Sequence, residues 1–219
     1  MKFIDLSLTF KQGMQYYKSG LHPQVEIIQI GNMKQHKRET RKITLGTHSG
    51  THIDAPKHFL GGNRSVEKIK LNKLVGKALV LNFSKAKNKS KICIDDVKKQ
   101  LSRKKLPKKL LFRFDWTDKY YGTKNYYKNH PYLSDKLCRW IVKKKIDLIG
   151  LDTPQPDNPN DTNTLRDGIN HKILLKKKVV IVEYLINLKK IKKKYVNFYC
   201  CPIKIKDGDG APSRCFVIE

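Results

Sequence analysis

The chain has 219 residues, enough for one large domain or two small ones with a substantial core. Its 47 Lys+Arg against 19 Asp+Glu give a formal charge of +28, with 39% apolar and 9% aromatic residues. The apolar runs, such as residues 179–182, fall far short of the roughly 18 residues of a membrane span, and aromatics spread from end to end argue against a disordered polyelectrolyte.

The predicted elements begin with short strands at residues 4–6, 25–30 and 42–45, the last leading into Gly46. After the turn Gly61-Gly62-Asn63, residues 78–83 read as a buried strand. A short helix follows over 95–101, with Ile94, Val97 and Leu101 at helical spacing. Residues 110–114 form a strand, and 115–132, rich in Tyr, Asn and Lys, a long loop. Ser134 is a good N-cap for a helix through Lys144 whose apolar face is Leu137, Trp140 and Ile141. A strand at 146–151 ends in Asp152. The Pro- and Asp-containing stretch 153–167 is a loop, a helix runs over 168–176, and strands follow at 179–184, 196–205 and 215–218, the last two closing the sheet. This alternation predicts an α/β fold with a mixed sheet, and no linker divides residues 1–219.

Only eight of the 47 basic residues are Arg, and the Lys are scattered through nearly every polar segment. Base and phosphate readers favour the Arg fork, so the charge reads as a solvated surface that attracts anionic substrates. A basic protein for RNA or another polyanion is kept as an alternative, and nucleic acid is not the expected partner. The five Cys (93, 138, 200, 201, 215) contain no C-x-x-C pair and read as reduced thiols. Residues 1–5 show no apolar leader, so a cytoplasmic protein is expected. In the vicinal pair Cys200-Cys201, strand alternation places one thiol in the core.

One segment concentrates chemistry: His48-Ser49-Gly50-Thr51-His52-Ile53-Asp54-Ala55-Pro56-Lys57-His58. Imidazole nitrogens and a carboxylate are the ligand types of a hydrolytic metal site. If residues 52–54 are extended, His52 and Asp54 point to one side. Gly50 permits the bend that returns His48 to them, and His58 lies close enough to carry a proton.

This segment resembles the H-x-G-T-H-x-D-x-P-x-H signature of the metal-dependent cyclase family, which includes bacterial kynurenine formamidases (arylformamidases) and isatin hydrolases. Supporting stretches are Ile4-Asp5-Leu6-Ser7, Asn129-His130-Pro131-Tyr132-Leu133-Ser134, Ile149-Gly150-Leu151-Asp152-Thr153-Pro154 and Asp209-Gly210-Ala211-Pro212-Ser213-Arg214, in which Arg214 is a candidate ion-pair partner. The resemblance implies a swivelling β/β/α fold, a homodimer or larger homo-oligomer, and zinc or manganese as cofactor, two ions per subunit. It implies that His48, His52 and Asp54 hold one ion, that Asp54, His171 and Glu183 hold the second, and that His58 is the general acid/base. Tyr16 and Tyr17 lie where arylformamidases carry a substrate-packing aromatic. For Glu183 a lysine such as Lys178 is an alternative partner to a metal, and for His171 an ordinary helix-terminal role is the alternative. The implied activity is hydrolysis of a small-molecule amide by metal-activated water, with N-formylkynurenine, cleaved to kynurenine and formate, as the best single substrate. A cyclic amide of the isatin type and a lactone are the alternatives. Gln155-Pro156-Asp157 departs from a loop that usually carries Ser in arylformamidases, and the stretch 116–134 is longer than theirs.

Overall fold

The computed structural model describes residues 1–102 and 105–219. In chain order the elements are β1 (Phe3–Asp5), β2 (Glu26–Gly31), α1 (Met33–His36), β3 (Thr40–Thr44), β4 (His52–Asp54), α2 (Lys57–Leu60), α3 (Leu71–Leu74), β5 (Val75–Asn82), β6 (Lys91–Ile92), α4 (Ile94–Lys98), β7 (Lys109–Arg113), α5 (Trp116–Tyr120), β8 (Tyr132–Leu133), α6 (Asp135–Lys143), β9 (Leu148–Leu151), α7 (Ile169–Lys176), β10 (Val180–Glu183), β11 (Tyr195–Pro202) and β12 (Gly210–Ile218).

The four apolar runs β5, β7, β9 and β10 lie side by side and parallel, as expected of strands covered on both faces. β11 and β12 extend the sheet antiparallel from β5, and β4 joins β10 to β12, so seven strands close into a barrel with β1 added beside β12. The architecture is therefore α/β with a mixed sheet, as the element pattern predicts.

Alternation along the strands separates two cores. Leu111, Leu148, Val180, Val182, Ile53 and Phe198 pack together inside the barrel. Leu110, Phe112, Ile149, Leu151 and Ile181 face outward, against Val97 of α4, Leu137 and Ile141 of α6, and Leu174 and Leu175 of α7. Each such buried aliphatic or Phe side chain contributes about 1.5–3 kcal/mol. Because Ile53 and Val182 point into the barrel, their neighbours His52, Asp54 and Glu183 must project outward, towards the helix layer.

The helix capped by Ser134 forms as predicted, with the Ser134 hydroxyl accepting the Leu137 N–H. Three predicted elements differ. The expected loop 115–132 contains α5, whose Trp116 indole donates to the Tyr126 carbonyl, so aromatic packing orders a stretch that has no clean periodicity. Barrel closure is made by Gly210–Pro212 against β4, upstream of the predicted 215–218 strand, because β12 is nine residues long and changes partner along its length. The strand expected at 25–30 pairs only with β3, as a two-stranded arm whose Ile28, Ile30 and Ile43 are exposed. Among the described residues no helix is long and apolar enough to cross a membrane.

Candidate metal centre

The residues of the signature converge because of two glycines. Gly50 sits at φ +59°, a conformation other residues resist, and turns the chain so that His48 comes back over β4. Gly210, opposite Asp54 on β12, leaves the space the His48 ring fills: a Cβ there would lie 2.6 Å from His48 Cε1. His48 Nδ1 consequently lies 2.8 Å from Asp54 Oδ1, while its Nε2 lies 2.8 Å from Asp209 Oδ2. His52 Nδ1 is 2.8 Å from the Gly50 carbonyl, to which it donates, and this turns Nε2 towards Asp54 Oδ1 and Glu183 Oε2, 3.4 Å from each.

The other wall is α7. Asp157 accepts the Asn170 N–H at its start and the His171 Nδ1 proton, fixing the helix end and the ring together. His171 Nε2 then faces Asp54 Oδ2 at 3.2 Å and Glu183 Oε1 at 3.1 Å, with Phe59 stacked on the ring at 4.5 Å. Ligand-type atoms of His48, His52 and Asp54 all lie within 4.8 Å of one another, as do those of Asp54, His171 and Glu183. His58, Asp209 and His48 make a third such group at the rim, where Asp209 Oδ2 also accepts from His58 Nδ1 at 3.1 Å.

The electrostatics fit a cation. Asp54 is 1% exposed, yet neither carboxylate oxygen has a directed hydrogen bond; three imidazole nitrogens merely crowd it. Unsatisfied buried carboxylate oxygens are costly. Burial raises the Asp54 pKa, but the imidazoles of His171, His48 and His52 outweigh it and hold the group well below the carboxylate range. Glu183, also buried, is pushed up by burial and by the Asp54 charge beside it. Burial pulls His48 down, but Asp209 and Asp54 raise it to about 10. Two buried carboxylates that share one space, faced by the free nitrogens of oriented imidazoles, are a donor set suited to one or two divalent ions.

Residues 4–158 match the model of the Cyclase family. The chain belongs to that family. Within it, the kynurenine formamidase of Geobacillus thermodenitrificans (strain NG80-2) is 30% identical over 173 residues, covering 79% of this chain and 77% of the relative. Two solved structures share the cyclase-family fold. Isatin hydrolase A from Labrenzia aggregata bound to benzyl benzoate superposes with a TM-score of 0.87 at 21% identity, over 99% of this chain and 93% of that one. A potential metal-dependent hydrolase with cyclase activity gives 0.77 at 22% identity, over 99% and 96%.

Around this candidate site stands a wall of tyrosines. Tyr184 packs 5.4 Å from the His52 ring and donates to the Tyr127 hydroxyl at 3.3 Å, and Tyr17 lies 5.3 Å from Tyr127. Tyr17 thus joins the site, whereas Tyr16 lines the outer cavity of about 800 Å³ with Tyr17, Tyr127, Lys18, Lys124 and Lys128. The structure also brings in groups that sequence reasoning does not single out as site residues. His22 lies 6.0 Å from the His48 ring, and Asp157 and Asp209 orient His171 and His48. For Asp209 the sequence signals are the Asp-Gly-Asp-Gly turn before β12 and the resemblance of the stretch 209–214, neither of which assigns it a partner. Lys178 is not the partner of Glu183; its carbonyl accepts from Lys73. Arg214 pairs with Asp5 at 2.8 Å, and His130 is buried with Nδ1 on the Pro131 carbonyl.

Proposed function

We propose that this protein is a metal-dependent hydrolase of an aryl amide, with residues 1–219 acting as one domain. The observation that carries the reading is Asp54, a buried carboxylate with both oxygens unbonded, ringed by His48, His52 and His171 and adjoining Glu183. His48, His52 and Asp54 would hold one zinc or manganese ion, and Asp54, His171 and Glu183 a second. Such ions supply Lewis-acid polarisation of a carbonyl and acidify a water to a pKa of roughly 7.

The chain's own residues supply the rest. With Nδ1–H given to Asp209, His58 keeps an Nε2 lone pair. Burial lowers its pKa, against the pull of Asp209, so the ring is neutral near pH 7. It is poised to take a proton from water and return it to the leaving nitrogen. Tyr17, Tyr127 and Tyr184 offer edges and faces to an aromatic ring. The lysines at the mouth, with no carboxylate among the residues lining that cavity, favour a substrate bearing an anionic group. N-formylkynurenine, with its carboxylate, meets both requirements. The chain is further read as a homo-oligomer, supported by the two-stranded arm with exposed Ile28, Ile30 and Ile43; analytical ultracentrifugation tests this.

Elemental analysis of protein purified without chelator tests the reading. Zinc or manganese should be present at one to two equivalents, as the two ligand groups imply. Hydrolysis of aryl formamides should vanish on chelation and return with the metal. Metal-free protein with full activity would overturn it. A panel extended to isatin-type cyclic amides and lactones separates the substrate classes.

A further inference from the structure

Away from the metal centre, two thiols meet inside the barrel. Cys200 on β11 and Cys215 on β12 are direct cross-strand partners, 2% and 0% exposed, with their sulfurs 3.6 Å apart. The two kinds of antiparallel pair differ in how close the side chains come. The Cys215 N–H donates to the Ser7 hydroxyl, and the Cys215 carbonyl accepts from Leu6 N–H and Ser7 Oγ. Both backbone groups of Cys215 therefore point towards the segment after β1, away from Cys200. The pair is thus of the non-hydrogen-bonded type, in which the Cα atoms stand only about 4.5 Å apart. That spacing falls inside the range of a disulfide, whose Cα atoms lie roughly 4.4–6.8 Å apart. Cys201, on the opposite face of the strand, is exposed and points away.

The surroundings leave the pair ready to close. The Ser213 hydroxyl lies 3.1 Å from Cys200 Sγ and 3.5 Å from Cys215 Sγ, so the thiols and one hydroxyl form a small polar island among apolar neighbours. Ser7 and Ser213 are 8% and 7% exposed, which places a thin polar edge between the thiols and water.

We propose that Cys200 and Cys215 form a dithiol that hydrogen peroxide converts to an intramolecular disulfide, stapling β11 to β12. Cys200 attacks one oxygen of hydrogen peroxide; the O–O bond breaks, the departing hydroxide takes up the thiol proton and leaves as water, and a sulfenic acid remains. The Cys215 sulfur then attacks the Cys200 sulfur, the S–O bond breaks and a second water leaves. Two thiols lose two electrons and two protons, and the peroxide is reduced to water. The two cysteines are 15 residues apart in sequence, so the bond closes a loop that raises the cost of unfolding. The staple lies on the strand whose first residues, Gly210–Pro212, pair with the metal-site strand β4. It stiffens that support without touching a candidate ligand.

The test uses the full chain carrying Cys201→Ser, which removes the exposed vicinal thiol, treated with hydrogen peroxide after reduction. Proteolysis without reductant should yield a peptide joining residues 200 and 215, two hydrogens lighter than its parts. Tm should rise by roughly 5–10 °C and fall back on reduction. Cys215→Ala should abolish both the joined peptide and the rise. Recovery of both peptides unjoined from folded, peroxide-treated protein would overturn the proposal, as would a joined peptide without any gain in Tm.

Discussion

His48 and His171, packed among Asp54, Asp157 and Asp209, are held towards the charged state against the pull of burial. His58 and His22, at the rim, are held towards the neutral state: burial lowers both, and for His22 the neighbouring imidazoles lower it further. The difference lies in the carboxylates, not in depth. The inner rings each touch two or three acids, so they sit where negative charge has been concentrated and a cation can replace their protons. The outer rings share one acid, Asp209, and Asp209 is directed at His48 as well. Carboxylates therefore hold the inner rings towards charge, while burial holds the outer rings towards neutrality, which is the state the proposed proton-carrying role of His58 requires.

Asp54→Asn should break the inner set most severely, since this carboxylate is common to both ligand groups. Bound metal should disappear in elemental analysis and activity should fall to that of the chelated protein; full metal content would refute the assignment. His58→Ala should leave metal content intact while kcat drops by about 10²–10⁴-fold. The wild-type rate should rise with pH through the His58 pKa, because the neutral ring is the base. Since that pKa is lowered, the acid limb should lie below the ordinary 6.5. Asp157→Asn should weaken metal affinity by roughly 10–100-fold in competition titrations while the fold persists, because the remaining amide oxygen can still accept the Asn170 N–H at the start of α7 but the carboxylate oxygen that orients His171 is lost.

The smallest effect sharpens the role of depth alone. His130 is fully buried, its Nε2 has no hydrogen-bond partner, and burial lowers its pKa to about 4 despite the Pro131 carbonyl and Asp157. Between 6.5 and about 4 the unfolded chain takes up a proton that the folded chain refuses. This group therefore costs stability as pH falls through that window, up to about 3 kcal/mol, and nothing further below it. Urea unfolding at several pH values should show this slope, and His130→Asn should flatten it; an unchanged slope would place the titration elsewhere.

The segment 48–58 was legible in sequence because its geometry is local. Strand alternation aligns His52 with Asp54, and one glycine returns His48. The parallel strands were legible for the same reason: residues buried on both faces must be apolar throughout. Alternation also split Cys200 from Cys201, one buried and one exposed. What long-range packing decided left no local mark. Asp157 and Asp209 are short carboxylates in loops with several others, and they gain their partners His171 and His48 only across 14 and 161 residues of chain. Closure of the barrel at β4, the aromatic folding of 116–120 and the meeting of Cys200 with Cys215 likewise depend on strand register. Register is set by the sum of many side-chain contacts across the sheet, so no stretch of sequence states it alone.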